Sequence, residues 1–526
     1  MPDKHDAIVI GGGHNGLVCA AYLARAGKRV LVLERNEVIG GAARSEEVFP
    51  GFRFSVFSYV VSLLRPEIIR DLELPRHGLH ILPLESTLTP LPNGGYLAQW
   101  GDHDQSRREL ARHSLRDAEA YDDFGRLMHR MARAVKPFLA LAPPDPASLA
   151  PRELMAMARL GRTLRDLGER EFHALHKLLT MSAADYLDEW FETEALKATK
   201  SASGIIGTML GPRSPGTAYV LLHHYMGEID GVFRAWGFAK GGNGSVSAAI
   251  ASAARALGVD IRTNAAVSKV IVANGRARGV ALESGEEIRA GLIVSSADPR
   301  RTFMSLVGAD HLPGEFVEAI RRFRFRGSSG KVNLALAGLP DFTCLPGRGP
   351  HLRGAISVSP SVDYLERAYD DAKYGEVSTR PYMDIVIPSM IDPSMAPPGQ
   401  HVMSIFVQYV PYHVNGGWTG EKREALGNRV IDTLSQYAPN LKSLILHRQV
   451  ITPADIEHMV GLSEGNIFQG ELALQQLFFL RPVPGWAKYA TPVDALYQCG
   501  SGTHPGGGVM GASGRNAAMA ILGGGS

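Results

Sequence analysis

Between the apolar run Ala7 to Ile10 and an alanine-rich stretch lies Gly11-Gly12-Gly13-His14-Asn15-Gly16, with glycines at its first, third and sixth positions. In that setting Gly11 permits a tight turn, Gly13 lets the main chain approach a pyrophosphate, and Gly16 lets a helix pack closely on a strand. The helix N-terminus adds N–H donors and a positive dipole end. Glu34 closes a second strand-like run, Arg29 to Leu33. A carboxylate there accepts hydrogen bonds from both hydroxyls of an adenosine ribose and repels a 2′-phosphate. Together these features predict a dinucleotide site.

FAD and NAD share that fingerprint, so the choice between them rests on other segments. Gly40-Gly41-Ala42-Ala43-Arg44-Ser45 suits a loop that continues along a pyrophosphate toward a flavin. Near the C-terminus, Gly500-Ser501-Gly502-Thr503-His504-Pro505-Gly506-Gly507-Gly508-Val509 joins a strand to a helix. Such a turn aims backbone N–H groups and a helix dipole at the pyrimidine edge of a flavin, where reduction places negative charge. Gly241-Gly242-Asn243-Gly244 has the wrong spacing for a second fingerprint, which argues against a separate nicotinamide domain. The expected cofactor is FAD, and no metal is expected.

Three histidines are candidates for proton chemistry. His504 follows the last strand into the glycine turn, and an ordinary imidazole titrating near about 6.5 suits proton transfer. Orienting the turn or hydrogen-bonding the flavin is an equally good reading of it. His223 and His224 sit in the apolar run Tyr219 to Tyr225, where a satisfied structural histidine is commoner than a catalytic one. Glu464 and Asn466 are weaker candidates, and Tyr409 and Tyr412 read as packing residues. An aromatic cage for an amine would draw on Trp236, Phe238 or Tyr497. The three cysteines, Cys19, Cys344 and Cys499, are far apart in sequence and form no Cys-x-x-Cys motif, so redox chemistry is assigned to the flavin and a dithiol relay is excluded.

These residues require elements to hold them. A strand over residues 6 to 10, a helix over 17 to 26 and a strand over 29 to 33 make a βαβ unit. A second α/β segment opens a helix at Gly241 to Ser245, running to about Leu257, and continues as a strand from Val259 to Arg262. An Asn274-Gly275 turn then joins runs at 266–273 and 276–283, and Leu292 to Ser295 is a final strand. The C-terminal end repeats the theme with a strand from Ala495 to Cys499 and a helix over 511 to 522; Gly523 to Ser526 reads as a flexible tail. Each piece is too small to bury its own core. The expectation is therefore an α/β fold: a Rossmann-like, glutathione-reductase-like FAD-binding domain from residues 1–89, 239–311 and 481–526. An interleaved α+β substrate-binding domain from 90–238 and 312–480 would contain a mixed or antiparallel sheet built from runs such as Lys331 to Ala337, Tyr382 to Pro388 and His401 to Tyr409.

With 526 residues, a formal net charge of +2 and 45% hydrophobic residues, the chain is an ordinary globular one and a poor candidate for nucleic-acid binding. No cationic leader with an apolar core and no apolar run of spanning length appears, which gives a cytoplasmic expectation. Leu154, Met157, Leu160, Leu164 and Leu167 recur at helical spacing with Arg152, Arg159, Arg162 and Arg165 largely elsewhere. Core packing with a solvated basic face is the favoured reading, and peripheral contact with a membrane is the alternative.

Beyond these motifs the chain resembles the phytoene desaturase-related FAD oxidoreductases over nearly its whole length. Within them it resembles the group named pyridine nucleotide-disulfide oxidoreductase domain-containing protein 2. The segments Pro50 to Ser55, Leu222-His223-His224, Gly465 to Phe468 and Thr503 to Gly508 carry the likeness. The resemblance implies non-covalent FAD and a long apolar substrate, dehydrogenated by hydride transfer to flavin N5, with oxygen or a quinone as acceptor. It leaves open an isomerase or saturase without net oxidation, an amine oxidase-like enzyme, and a low-turnover interaction protein stabilised by flavin. The residues expected at the cofactor are Gly11, Gly13, His14, Asn15, Gly16, Glu34, Arg35, Gly41, Ala42, Arg44, Val267, Gly500, His504, Gly508 and Val509.

Overall fold

The computed structural model describes residues 5–523, apart from Asp230 and Arg234; of the glycine-rich tail, residues 524–526 lie outside that range. The strands Ala7–Ile10 and Val30–Leu33 are apolar with every residue buried, the pattern of parallel strands covered on both faces. They form the middle of a five-stranded parallel sheet in the order Asp260–Arg262, Val30–Leu33, Ala7–Ile10, Leu292–Ser295, Leu496–Gln498. Three distant stretches of chain thus complete one sheet.

Alternation along these strands divides the core. Ala7, Val9, Val30 and Val32 pack in one cluster with the helices His14–Arg25 and Gly244–Ala256. Ile8, Ile10, Leu31 and Leu33 pack in another with the antiparallel strands Val267–Ala273 and Arg276–Leu282. The turn between those two strands is the expected one, with φ of 52° at Asn274 and 71° at Gly275, positions that favour these two residue types.

The second sheet has seven strands in the order Ile445–Ile451, Ser329–Leu336, His401–Gln408, Tyr382–Val386, Ala355–Val358, Ser86–Pro90, Tyr96–Trp100. It is mixed, because Ala355–Val358 pairs in parallel with Ser86–Pro90 while its other pairs are antiparallel. The boundary drawn from sequence at residue 89 falls inside Ser86–Pro90, where Leu88 packs with Ile356 in the core of this second sheet. Ser329–Leu336 is buried at all eight positions. One face, with Val332, Leu334 and Leu336, lies in a core shared with helix Gly420–Ser435; on the other, Lys331 and Asn333 reach Ser55 and Val56.

Helices Leu115–Val135, Glu169–Thr180 and Thr217–Tyr225 build a cap whose core is continuous with Tyr59, Phe406, Phe468 and Leu472. Helix Pro151–Asp166 only partly follows the packing expected of it. Leu164 and Leu167 lean on the cap, but Leu154 and Met155 are half exposed, and its one fully buried residue is Glu153. Glu153 is held by Lys488 and by the backbone N–H of Asp145, so an ion pair anchors the helix more than apolar burial does. Among the described residues, no helix is long and apolar enough to cross a membrane.

Cys19 and Cys499 need correction. Sequence separation suggested isolation, but the parallel sheet places the end of its last strand beside the N-terminal helix. The two free thiols interact in a fully buried setting. Burial pushes the Cys499 thiol well above its usual range, which disfavours the reactive thiolate.

Helices His14–Arg25 and Ala512–Ile521 approach each other closely. A Cβ on Gly514 would stand 2.1 Å from the carbonyl oxygen of Asn15. Gly514→Val should therefore wedge the two helices apart and destabilise the protein by about 1–3 kcal/mol, read as a lowered midpoint of thermal unfolding. An unchanged midpoint would show that the helices separate freely.

Candidate functional site

The first glycine turn has the geometry its spacing requires. Gly11 has φ of 96°, and a Cβ on Gly16 would lie 2.2 Å from the Gly11 carbonyl oxygen. At Gly13 the only neighbour of such an atom is Ser296 Oγ, at 3.8 Å, so its main chain can face a ligand. Buried Glu34 accepts from the Gly12 N–H at 2.8 Å through one oxygen and from the Asn36 N–H at 2.9 Å through the other. The carboxylate is fixed against the turn with lone pairs left over.

The Gly40 loop lies on this turn. Gly40 N–H donates to the Gly12 carbonyl at 2.8 Å, Gly41 has φ of 55°, and Ser247 Oγ donates to the Ala43 carbonyl at 2.8 Å. Ala42 receives the Ser58 N–H at 3.1 Å. Arg44 is buried, 2.5 Å from Glu46 and 5.2 Å from the Phe57 ring centre. Arg35 points elsewhere and donates to the His458 carbonyl at 2.7 Å. Val267 opens its strand two residues after Ala265, whose N–H donates to the Glu34 carbonyl at 2.9 Å.

The C-terminal turn closes on the same place. Asn15 Nδ2 donates to Ser501 Oγ at 3.0 Å, and the His14 ring lies against the Gly508 carbonyl. Thr503 Oγ1 donates to the Gly500 carbonyl at 2.8 Å, Gly508 has φ of 111°, and Val509 is half-buried. His14 Nε2, Asn15 Oδ1, His223 Nδ1 and His504 Nδ1 are buried with no hydrogen-bond partner among the described residues. Buried polar atoms of that kind are ordinarily satisfied, and a polar ligand between the two turns would satisfy those of His14 and Asn15. With the open main chain at Gly13 and the fixed Glu34 carboxylate, the residues present fit a flavin dinucleotide.

The histidines differ from their sequence expectation in one physical respect. Burial lowers the pKa of His504 to about 4, of His223 to about 3 and of His224 to about 4. The ordinary imidazole value invoked for proton transfer at His504 therefore does not apply. Its Nε2 is tied to the Phe138 carbonyl at 2.8 Å, His223 meets the Gly507 carbonyl at 3.3 Å, and His224 is held by the carbonyls of Val220 and Ser203. Glu464 pairs with Arg300 at 2.7 Å, and Asn466 accepts the N–H groups of Phe468 and Gly470. Tyr409 donates to the Leu210 carbonyl at 2.6 Å, and Tyr412 bonds Glu457. Trp236, Phe238 and Tyr497 do not converge: Trp236 stacks near His224, Phe238 packs with Phe52 and Phe54, and Tyr497 lies against the N-terminal helix cluster.

Sequence reasoning missed a second group. The sheet register aligns Lys331, Phe406, Asp384 and Ser357 across four neighbouring strands. Tyr59 covers this row, stacked 5.6 Å from Phe406, with its hydroxyl donating to Asp384 at 2.6 Å. Lys331 Nζ donates to the Ser55 carbonyl at 2.5 Å. Ser55 and Tyr59 belong to the strip that follows Arg44, which joins this row to the segment carrying the second glycine loop. Burial holds Lys331 well below its usual range and raises Asp384 to about 6. A lysine and an aspartate interrupting apolar strands were the signal available in sequence. Ser296 beside Gly16 and Gln469, which accepts the Gly502 N–H at 3.1 Å, left no such signal.

Comparison with known proteins agrees with this geometry. Residues 16–522 match the family described as flavin containing amine oxidoreductase. The chain is 43% identical over 545 residues to pyridine nucleotide-disulfide oxidoreductase domain-containing protein 2 of Rattus norvegicus, spanning 99% of this chain and 94% of that one. It is 26% identical over 540 residues to the neurosporene-forming phytoene desaturase of Cereibacter sphaeroides, spanning 99% and 95%. The solved structure of cyclohexylamine oxidase from Brevibacterium oxydans has the same fold, with a TM-score of 0.58, 18% identity and 99% of both chains covered.

Asp384 makes stability depend on pH. Its carboxyl titrates near 6 when folded, against 3.8 unperturbed, so the folded state prefers the protonated acid. The stabilisation is complete below about pH 4 and is lost as pH rises through about 6. Relative to Asp384→Asn, the unfolding free energy should fall across that window with a slope of up to about 1.4 kcal/mol per pH unit. Parallel stability curves for the two proteins would refute a raised Asp384.

Proposed function

The chain belongs to the flavin-containing amine oxidoreductase family and is an FAD-dependent oxidoreductase; from that premise we propose that it dehydrogenates a long apolar substrate at a carbon–carbon bond. One observation carries this reading. Burial pushes His14, His223, His224, His504 and Lys331 down and Asp384 up, each toward its neutral form. Surroundings that disfavour charge on these groups penalise a charged substrate and suit a polyene, isoprenoid or acyl chain. The likeness to a phytoene desaturase supports the same class.

We read the parallel sheet with its antiparallel crossover as a glutathione-reductase-like FAD domain from 1–85, 239–311 and 481–526, its first boundary moved ahead of strand Ser86–Pro90, and the remainder as the substrate domain. Bound FAD supplies a two-electron acceptor for hydride at N5. The chain's own part is to exclude water, orient the C–H bond and receive the second hydrogen as a proton. Lys331, whose ammonium form burial disfavours, is the acceptor we assign to that proton. Oxygen or a quinone then takes the electrons.

Asp384 favours one second reading, an amine oxidase-like reaction, because an ionised carboxylate beside Tyr59 would attract an ammonium group. Anaerobic mixing separates the two. Polyenes or prenyl chains should bleach the flavin absorbance, air or a quinone should restore it, and the product should be two hydrogens lighter. Lys331→Met should slow bleaching about 10²-fold or more with flavin content unchanged. Bleaching by amines alone would overturn the desaturation reading, and a product of unchanged mass would indicate isomerisation.

An apolar substrate also needs a route. We propose a peripheral membrane contact through the cap, where Leu149 is 85% exposed and Leu154 and Met155 lie among the exposed Arg152, Arg159, Arg162 and Arg165. Vesicles rich in anionic lipid should sediment the protein, and Leu154→Asp with Met155→Asp should abolish this; binding that persists in the double variant would place the contact elsewhere.

A further inference from the structure

Arg481 is fully buried beneath the C-terminal glycine turn. Its Nε donates to the Ser501 carbonyl at 3.1 Å, and Nη1 to those of Glu471 and Gln476, both at 3.2 Å. Nη2 donates to the carbonyls of Phe468 at 2.9 Å, Gly470 at 3.1 Å and Ser501 at 2.8 Å. The guanidinium carbon lies 5.5 Å from the centre of the Phe323 ring. Every partner is a main-chain oxygen or an aromatic face. Glu471 gives Arg481 only its carbonyl, since its carboxylate pairs with Arg326. Among the described residues no carboxylate forms an ion pair with Arg481.

Burial lowers this guanidinium to about 9, so it stays charged at neutral pH. Its field reaches the neighbouring imidazoles, where it helps keep His223 and His504 uncharged. A buried ion without a counterion is expensive, and carbonyl dipoles recover only part of the loss. Neutral donors or a water could serve the same carbonyls. What a neutral donor cannot supply is a positive charge waiting for a negative one. The group expected beside this turn that gains negative charge during turnover is the flavin, which takes up two electrons and one proton.

We propose that Arg481 is an electrostatic positioning residue of the flavin site: it fixes the Gly500–Ser501 turn, and its unpaired charge favours reduced, anionic FAD over the oxidised form. The inference rests on FAD binding and holds whichever substrate is oxidised. The midpoint potential of the bound flavin in the full-length holoprotein tests it. Arg481→Met should lower the ratio of reduced to oxidised flavin at fixed ambient potential at least tenfold, which is about 30 mV for a two-electron couple. Arg481→Lys, which keeps the charge and loses donors, should stay within a factor of about three of the parent. Phe323→Glu sets a carboxylate against the guanidinium while leaving its hydrogen bonds in place, so it reads the charge even where Arg481→Met does not retain flavin. It should shift the ratio in the same direction. An Arg481→Met or Phe323→Glu protein with a lowered melting temperature and an unchanged flavin potential would make Arg481 purely structural and overturn the proposal.

Discussion

The structure depends on the clasp between its two glycine turns, which come from opposite ends of the chain. Asn15 and Ser501, His14 and Gly508, and the close seating of Gly514 on the Asn15 carbonyl bind the first helix to the last. Neither turn makes a cofactor site alone. The first offers open main chain at Gly13 and a fixed carboxylate at Glu34; the second brings the helix Ala512–Ile521 and the loop that Arg481 holds. Because the clasp joins first and last residues of a parallel sheet, the intervening segments must leave that sheet and return to it. They leave as the cap and the mixed sheet, and the strip 55–59 ties that second sheet back to the segment beside the glycine loop.

Desolvation is the second constraint, and it follows from the first. Closing the crevice between sheet and cap removes water from a set of ionisable groups. Each such group must be paired, hydrogen-bonded or discharged. The histidines are discharged and tied to carbonyls, while Lys331 and Asp384 are shifted toward neutrality against Ser55 and Tyr59. Arg481 cannot be discharged at neutral pH and is solvated by six main-chain bonds instead. The main-chain solvation of Arg481 thus sets a retained cation beside imidazoles that burial discharges.

Legibility in the sequence followed the range of the interaction. The glycine turn, Glu34 and the Asn274-Gly275 hairpin are local, with spacing set by one element and the next, and the structure places them as their residue types require. The alternation that suggested strands near 331, 382 and 401 located them well, but their burial on both faces depends on helix Gly420–Ser435 behind and the strip 55–59 in front. Helix Pro151–Asp166 shows the opposite error, since periodicity alone does not reveal how little of an apolar face is covered. Ser296, Gln469 and Arg481 carry no local pattern at all. Their roles exist only because the C-terminal turn folds back over them.

Cys19 and Cys499 make the same point from another side. Counting and spacing exclude a local redox motif but say nothing about residues joined by a sheet, and here the clasp brings the two thiols into contact. Their setting decides what the contact means. The pair lies in the apolar core behind the glycine turns, where burial opposes the thiolate that exchange chemistry needs. The polar row of Lys331, Asp384 and Tyr59 lies instead on the face of the second sheet that meets the strip 55–59. Electron transfer is therefore left to the flavin not because the chain lacks adjacent cysteines, but because the fold turns them away from water and substrate.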